Sequence, residues 1–198
     1  MSLLELEYKG NRSYLHGSDL YMQINEWAAG QYESTAYVRH LAFRNMAQHQ
    51  CMLVLEPPDA SDHVIAKAVV MTKDGDKKIW LIESEQAVTG RYDYDEESLV
   101  EKATLDVGGD TITLDQRIGF SVIEEIIALT KQLNNTLDPL EKGKWLFAQL
   151  DIDRPLKENC FQISIKRQQH IKGKFSVNTI MIDGNTNGKI RFIVGDAI

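Results

Sequence analysis

The sequence predicts an α+β fold made twice over, each copy a helix followed by several antiparallel strands. Three observations carry this. Moved by 109 positions without a gap, Tyr37–Cys51 (YVRHLAFRNMAQHQC) lies on Leu146–Cys160 (LFAQLDIDRPLKENC), so both cysteines coincide, and the same shift puts Asp74-Gly75 on Asp183-Gly184. Self-similarity at a fixed offset speaks to architecture before any motif does. Each half also reads in the same order: a short strand, one helix, then several strands in succession. Finally, both Asp-Gly pairs stand between β-rich runs, where Asp and Gly tolerate the positive φ angles of a tight hairpin.

In chain order, a short strand is expected over Leu4 to Lys9, followed by a helix that opens in YLHGSDLYMQINEW, Tyr14 to Trp27. A shift near 102 lays Gly17 on Gly119, Leu20 on Val122, Ile24 on Ile126 and Trp27 on Leu129. Strands fill Tyr37 to Ser84, and KKIWLIES (Lys77 to Ser84) matches GKIRFIVGD (Gly188 to Asp196) once a longer turn is allowed in the second copy. RYDYDEESLVEKA, Arg91 to Ala103, is acidic and belongs to neither copy, so it reads as the connector. The expected division is residues 1–90, a connector over 91–103, and residues 104–198. The second copy opens with a strand at Thr111 to Leu114 and a helix within RIGFSVIEEIIALTKQL, Arg117 to Leu133. There Val122, Ile123, Ile126, Ile127, Leu129 and Leu133 cover well over a third of the circumference, the mark of a mostly enclosed helix.

Composition narrows the function. A net charge of −7 and a pI near 5.3 argue against a broad phosphate-binding surface and so against nucleic acid as partner. The first residues, MSLLELEYKG, lack a basic leader and an apolar core, and no later run reaches the roughly 18 apolar residues that span a bilayer; a cytoplasmic protein without a membrane span is expected. Cys51 and Cys160 lack zinc-ligand spacing, and His40, His49, His63 and His170 are scattered. No metal and no cofactor is therefore expected.

One central helix per repeat, wrapped by an antiparallel sheet, resembles the hot-dog fold, and two copies in one chain resemble the double hot-dog enzymes. The resemblance covers nearly the whole chain and rests on element order and duplication. It implies a pseudo-dimer within one chain, with acyl-CoA or acyl-carrier-protein thioesters as ligands; the double hot-dog could pair further into a homodimer. The basic segments KGKWLF (Lys142 to Phe147) and IKRQQHIKGK (Ile165 to Lys174) could steer such phosphate-bearing ligands, or simply keep strands soluble.

His16-Gly17 before a helix that later carries Glu26 looks like the HGG start of the phenylacetyl-CoA thioesterase group. The second glycine is replaced by Ser18, and the acid expected nine positions after the histidine falls at Asn25, with Glu26 one further on. GFSVIEE, Gly119 to Glu125, resembles the PGVLxxEA helix start of the 3-hydroxyacyl-carrier-protein dehydratases, with Glu124 at the spacing of the family's glutamate. These resemblances imply catalytic roles for His16, Glu26 and Glu124, and substrate contacts from Gly17, Ser18, Asp19, Asn25 and Gly119. Amides around Gly17 or Gly119, at the positive end of a helix, would hold the thioester oxygen. Ser18 and Asp19 read equally as ordinary helix caps, and Glu26 as a solvated surface residue. The leading expectation is a thioesterase in which Glu26 or Glu124 activates water. The alternatives are a 3-hydroxyacyl thioester dehydratase using His16 with Glu124, and a degenerate hot-dog that binds without turnover.

Overall fold

A computed structural model describes residues 1–196 and divides the chain into two compact units, Met1–Tyr94 and the segment from Asp95 onward. The boundary falls inside the expected connector. Arg91–Tyr92 belongs to the first unit as a short strand, and Glu96–Glu101 forms a one-and-a-half-turn helix of the second. That helix exists because the Asp95 side chain accepts from the Ser98 amide at its start and Leu99 is fully buried beneath it.

The first unit contains β1 (Ser2–Leu4), β2 (Tyr8–Lys9), α1 (Gly17–Gln31), β3 (Tyr37–Phe43), β4 (His49–Val54), β5 (Val64–Thr72), β6 (Gly75–Ala87) and β7 (Arg91–Tyr92). Its antiparallel sheet has the order β1-β4-β6-β5-β3, while β2 and β7 form a separate parallel pair. The second unit contains α2 (Glu96–Glu101), β8 (Thr104–Asp106), β9 (Thr111–Leu114), α3 (Val122–Leu137), β10 (Lys144–Ile152), β11 (Ile163–Ile171), β12 (Phe175–Ile182) and β13 (Asn185–Gly195). Its sheet has the order β8-β9-β11-β12-β13-β10.

Both expected hairpins form. Ile182 pairs with Asn185 across Asp183 (φ +49) and Gly184 (φ +76), two successive left-handed residues that match the twist of the flanking strands. In the first unit Thr72 pairs with Gly75, whose φ is +98. Alternation then decides which side faces the core. Ala66, Ala68, Val70 and Thr72 are buried along β5, and Ser176, Asn178 and Ile180 along β12.

Each sheet packs on one long helix. α1 buries Leu20, Tyr21, Ile24 and Ala28, a narrow stripe that rests on β3. α3 buries Val122, Ile123, Ile126, Ile127, Leu129 and Leu133 against β9 to β12, as its wide apolar face requires. Each such aliphatic side chain contributes about 1.5–3 kcal/mol of burial.

The constant offset between the halves does not survive in full. It holds for β3 and β10, but the hairpins close at Thr72 with Gly75 and at Ile182 with Asn185, one position out of that offset, and Cys51 lies within β4 while Cys160 precedes β11 by three positions. The middle strands also differ in order. β4 and β5 flank β6, whereas β11 and β12 are direct neighbours.

Candidate active site

Lys9, in the two-residue strand β2, points under the start of α1 and is fully buried. A lysine ammonium is held without water only where other groups replace its hydration. Here Nζ donates to Ser18 Oγ (3.0 Å) and pairs with Asp19 Oδ1 (3.2 Å), and it sits 4.1 Å from the ring centroid of Tyr94 and 5.7 Å from that of Tyr92. The second Asp19 oxygen accepts from the Tyr92 hydroxyl at 2.7 Å. Ser18 and Asp19 are themselves buried, and the Ser18 hydroxyl donates to Asp19 Oδ1 at 2.8 Å. His16 is the N-cap residue of α1, partly buried, with Nδ1 2.7 Å from Ser18 Oγ and 3.4 Å from the Ser18 amide. The result is one connected set: His16, Ser18, Asp19, Lys9 and the two tyrosines.

The expected substrate contacts at Ser18 and Asp19 are thus spent inside the unit, on Lys9 and Tyr92, with neither side chain facing solvent. Gly17 is the first residue of the helix. Asn25 spans two elements, its amide donating to the Tyr21 carbonyl and its Oδ1 accepting from the Val38 amide, so it ties α1 to β3. Glu26 is exposed on the far side of α1 and accepts from Gln23; the step from Asn25 to Glu26 turns the side chain by about 100°.

At α3 the helix begins three positions later than Gly119. Ser121 caps it, and Gly119 is an exposed loop residue at φ +98. Glu124 closes a capping box, Oε2 accepting from both the Ser121 amide (2.8 Å) and hydroxyl (2.6 Å). Its neighbour Glu125 is the enclosed one. Fully buried, it accepts from Arg117 Nε at 2.7 Å and from the Ile118 amide at 3.3 Å. Burial pushes its carboxyl up, the Arg117 cation and the two donors offset part of this, and the net direction stays upward. Arg117 also bonds the carbonyls of Phe120 and Glu158, and the Glu158 carboxylate accepts from the Val122 amide at 3.2 Å. The Val122 amide, the first of this helix, is therefore engaged by Glu158.

A further carboxylate, Glu83 on β6, receives the amides of Gln48 and His49 and lies 2.7 Å from His63 Nδ1. Burial alone would raise its carboxyl; the two amides and His63 outweigh that and hold it below the usual range. Among the described residues no group of three or more His, Cys, Asp and Glu side chains is arranged to hold a metal ion. No helix of the described residues is long and apolar enough to cross a membrane.

Lys9, Tyr92, Tyr94, Arg117 and Glu125 went unnoticed in the sequence. For Lys9 a signal exists: it stands in a strand directly before the helix that carries an acid in its first turn. Nothing local distinguishes Glu125 from Glu124 except its place on the apolar stripe.

No family model matches the chain, and no curated protein matches it in sequence. Solved structures do. The dehydratase domain of PpsC from Mycobacterium tuberculosis, in complex with C12:1-CoA, aligns over 92% of this chain and 85% of that one, at a TM-score of 0.53 and 8% identity. The bifunctional dehydratase-cyclase domain of ambruticin biosynthesis aligns over 93% and 83%, at 0.50 and 10%. A putative thioesterase from Novosphingobium aromaticivorans aligns over 94% and 90%, at 0.46 and 10%. The first two comparisons give the fold: this chain has the hot-dog fold.

Proposed function

We propose that this chain acts on acyl thioesters of CoA or of a carrier protein, with His16 as the group that moves the proton, and that its two units are tandem hot-dog repeats. The hydrogen-bonded seating of His16 carries the functional reading: a partly exposed imidazole at the start of α1 is held through one ring nitrogen by Ser18, in front of the buried Asp19 and Lys9. Such seating suits general acid–base work, which requires an oriented ring. The reaction it fits best is reversible dehydration of a 3-hydroxyacyl thioester. The imidazole takes the proton α to the thioester carbonyl and, as imidazolium, returns it to the departing β-hydroxyl, so that water leaves and the 2-enoyl thioester remains. This reading is preferred to hydrolysis because neither carboxylate expected to activate water is disposed for it: Glu26 faces solvent, and Glu124 spends an oxygen on Ser121. The fold shared with two dehydratase domains, one of them held with C12:1-CoA, agrees with it.

The test is a panel of trans-2-enoyl-CoA thioesters, followed by loss of enoyl absorbance, in parallel with an assay for free thiol. Hydration is expected. His16→Asn, which keeps a good capping side chain, is expected to lower it about 10²- to 10⁴-fold. Hydration undiminished by His16→Asn would overturn the role of His16, and thiol release without hydration would overturn dehydration in favour of hydrolysis.

A further inference from the structure

We propose that Ser18, fixed between Asp19 and Lys9, holds His16 as the neutral tautomer with the proton on Nδ1, which leaves the ring's lone pair on Nε2. The hydrogen bonds around a histidine ring set which nitrogen carries the proton. Here the count is tight enough to decide. Ser18 Oγ has one proton and two lone pairs, and three polar atoms lie within hydrogen-bond distance of it. Lys9 Nζ, at 3.0 Å, can only donate. Asp19 Oδ1, at 2.8 Å, is a carboxylate oxygen and can only accept, and the two Asp19 oxygens take Lys9 Nζ and the Tyr92 hydroxyl as well. The Ser18 proton is thereby committed to Asp19. The contact to His16, at 2.7 Å, must then be one in which Ser18 accepts, so Nδ1 carries hydrogen.

A rival arrangement competes for the same nitrogen. As a helix cap, His16 Nδ1 would accept from the Ser18 amide, which requires it to be unprotonated. That contact is 3.4 Å long, against 2.7 Å to the hydroxyl, and the shorter bond prevails. In the rival, the Ser18 hydroxyl would turn to His16, leaving Ser18 Oγ and Asp19 Oδ1 2.8 Å apart in a buried site with no proton between them and only the shared Lys9 Nζ to hold them together.

Lys9 and Asp19 are positioning residues in this scheme, since they reach His16 through Ser18. The Tyr92 hydroxyl pins the far oxygen of Asp19, and the Tyr94 ring faces the Lys9 ammonium, so the pair cannot turn without losing both. For the chemistry, the direction of the chain matters. A base with its lone pair on Nε2 gains a proton there while Nδ1 goes on donating to Ser18 and Ser18 to Asp19, so the imidazolium forms without rearrangement of the cluster.

The use of Nε2 as the base rests on the proposed acyl-thioester chemistry; the tautomer itself does not. The test is therefore spectroscopic. Two-bond nitrogen–hydrogen correlations of ring-labelled histidine, recorded on the full chain with His16 assigned by loss of its signal in His16→Asn, tell a protonated ring nitrogen from a bare one. The unmodified protein should show Nδ1 protonated and Nε2 bare at a pH where the ring is neutral, and the opposite pattern would overturn the proposal without any variant. Ser18→Ala removes the hydroxyl but keeps the amide, so the major form should invert to Nε2–H; retention of Nδ1–H would overturn the role of Ser18. In the hydration assay the same variant should lose on the order of 10²-fold in kcat with KM unchanged, as a mis-set tautomer does. A protein with the expected spectrum but no thioester turnover would retain the tautomer and refute the proposed function.

Discussion

Arg117→Leu should leave a buried carboxylate without its cation, and the cost should depend on pH in a direction the structure fixes. Glu125 has no exposed side-chain surface and Arg117 only 13%, with 2.7 Å between Nε and Oε2. Removing one partner of such a pair costs about 3–5 kcal/mol. The Glu125 carboxyl already titrates above its ordinary range because burial outweighs the help it receives. A raised carboxyl favours the folded state fully below its unfolded pKa, and this contribution is lost as pH rises through the folded value. Without Arg117 the folded value moves higher still, so the penalty should be largest at neutral pH and shrink towards pH 4, where Glu125 folds protonated. Urea unfolding of the second unit can be followed by Trp145, which is buried there, in a background with Trp27 and Trp80 changed to Phe. Arg117→Leu with Glu125→Leu should return to within about 1 kcal/mol of the parent, since no charge is then stranded. A cost below about 1 kcal/mol at pH 7, or one equal at pH 7 and pH 4, would refute the reasoning.

The remaining predictions concern single contacts. Glu83→Gln should flatten the acid limb of the stability curve of the first unit: its carboxyl is held low, so its contribution is present above the unfolded pKa and fades as pH falls through the folded one, measurable by thermal melts across pH. Glu124→Gln should keep the capping box of α3, whereas Glu124→Ala should cost about 0.5–2 kcal/mol in urea unfolding. Asn25→Ala should cost about 1–2 kcal/mol, because it strands the Val38 amide at the seam between α1 and β3; hydrogen exchange at Val38 should accelerate. Gly188→Ala should prevent folding of the second unit at ordinary temperature, since the added methyl would lie 2.1 Å from the Asp151 carbonyl oxygen at a φ of +150; circular dichroism and proteolysis would report it.

How far the sequence could be read depends on which interactions are local. Both long helices and both hairpins are written in periodicity and turn chemistry, which act over a few residues, whereas the short helix α2 inside the expected connector is not. Nor is the order of the strands. From β11 to β12 the link is Lys172–Lys174, short enough only for neighbours, but from β4 to β5 the chain runs Leu55–His63 through Pro57-Pro58 and crosses β6. The longer link accompanies the different order, and Cys160 falls short of β11 because the link from β10 to β11, residues 153–162, is longer than that from β3 to β4, residues 44–48. At the site, His16 was visible because a histidine before a helix is a local feature. Its partners were not, since Lys9 and Tyr92 reach Asp19 over separations of 10 and 73 residues.

On the proposed acyl-thioester reading, these partners suggest a division of labour between the two helix starts. At α1 the start is polar within: Lys9, Ser18 and Asp19 are buried, and their charges are balanced locally, so the ring of His16 is what the cluster presents. At α3 the corresponding stretch, Ile118 to Ser121, contributes a serine cap, and the charges behind it are engaged as Arg117 with Glu125 and Glu158. A start whose first amide is met by a glutamate from a neighbouring loop is satisfied already, and an incoming carbonyl would have to displace a carboxylate that also pairs with Arg117. Displacing it costs a charge-assisted bond for a neutral one. Chemistry is therefore expected at the first helix and scaffolding at the second. Glu158→Gln supplies the check: it should weaken the contact to Arg117 and lower the melting temperature of the second unit while leaving the His16 tautomer as it was, and a change in the His16 spectrum would show that the two starts are not independent.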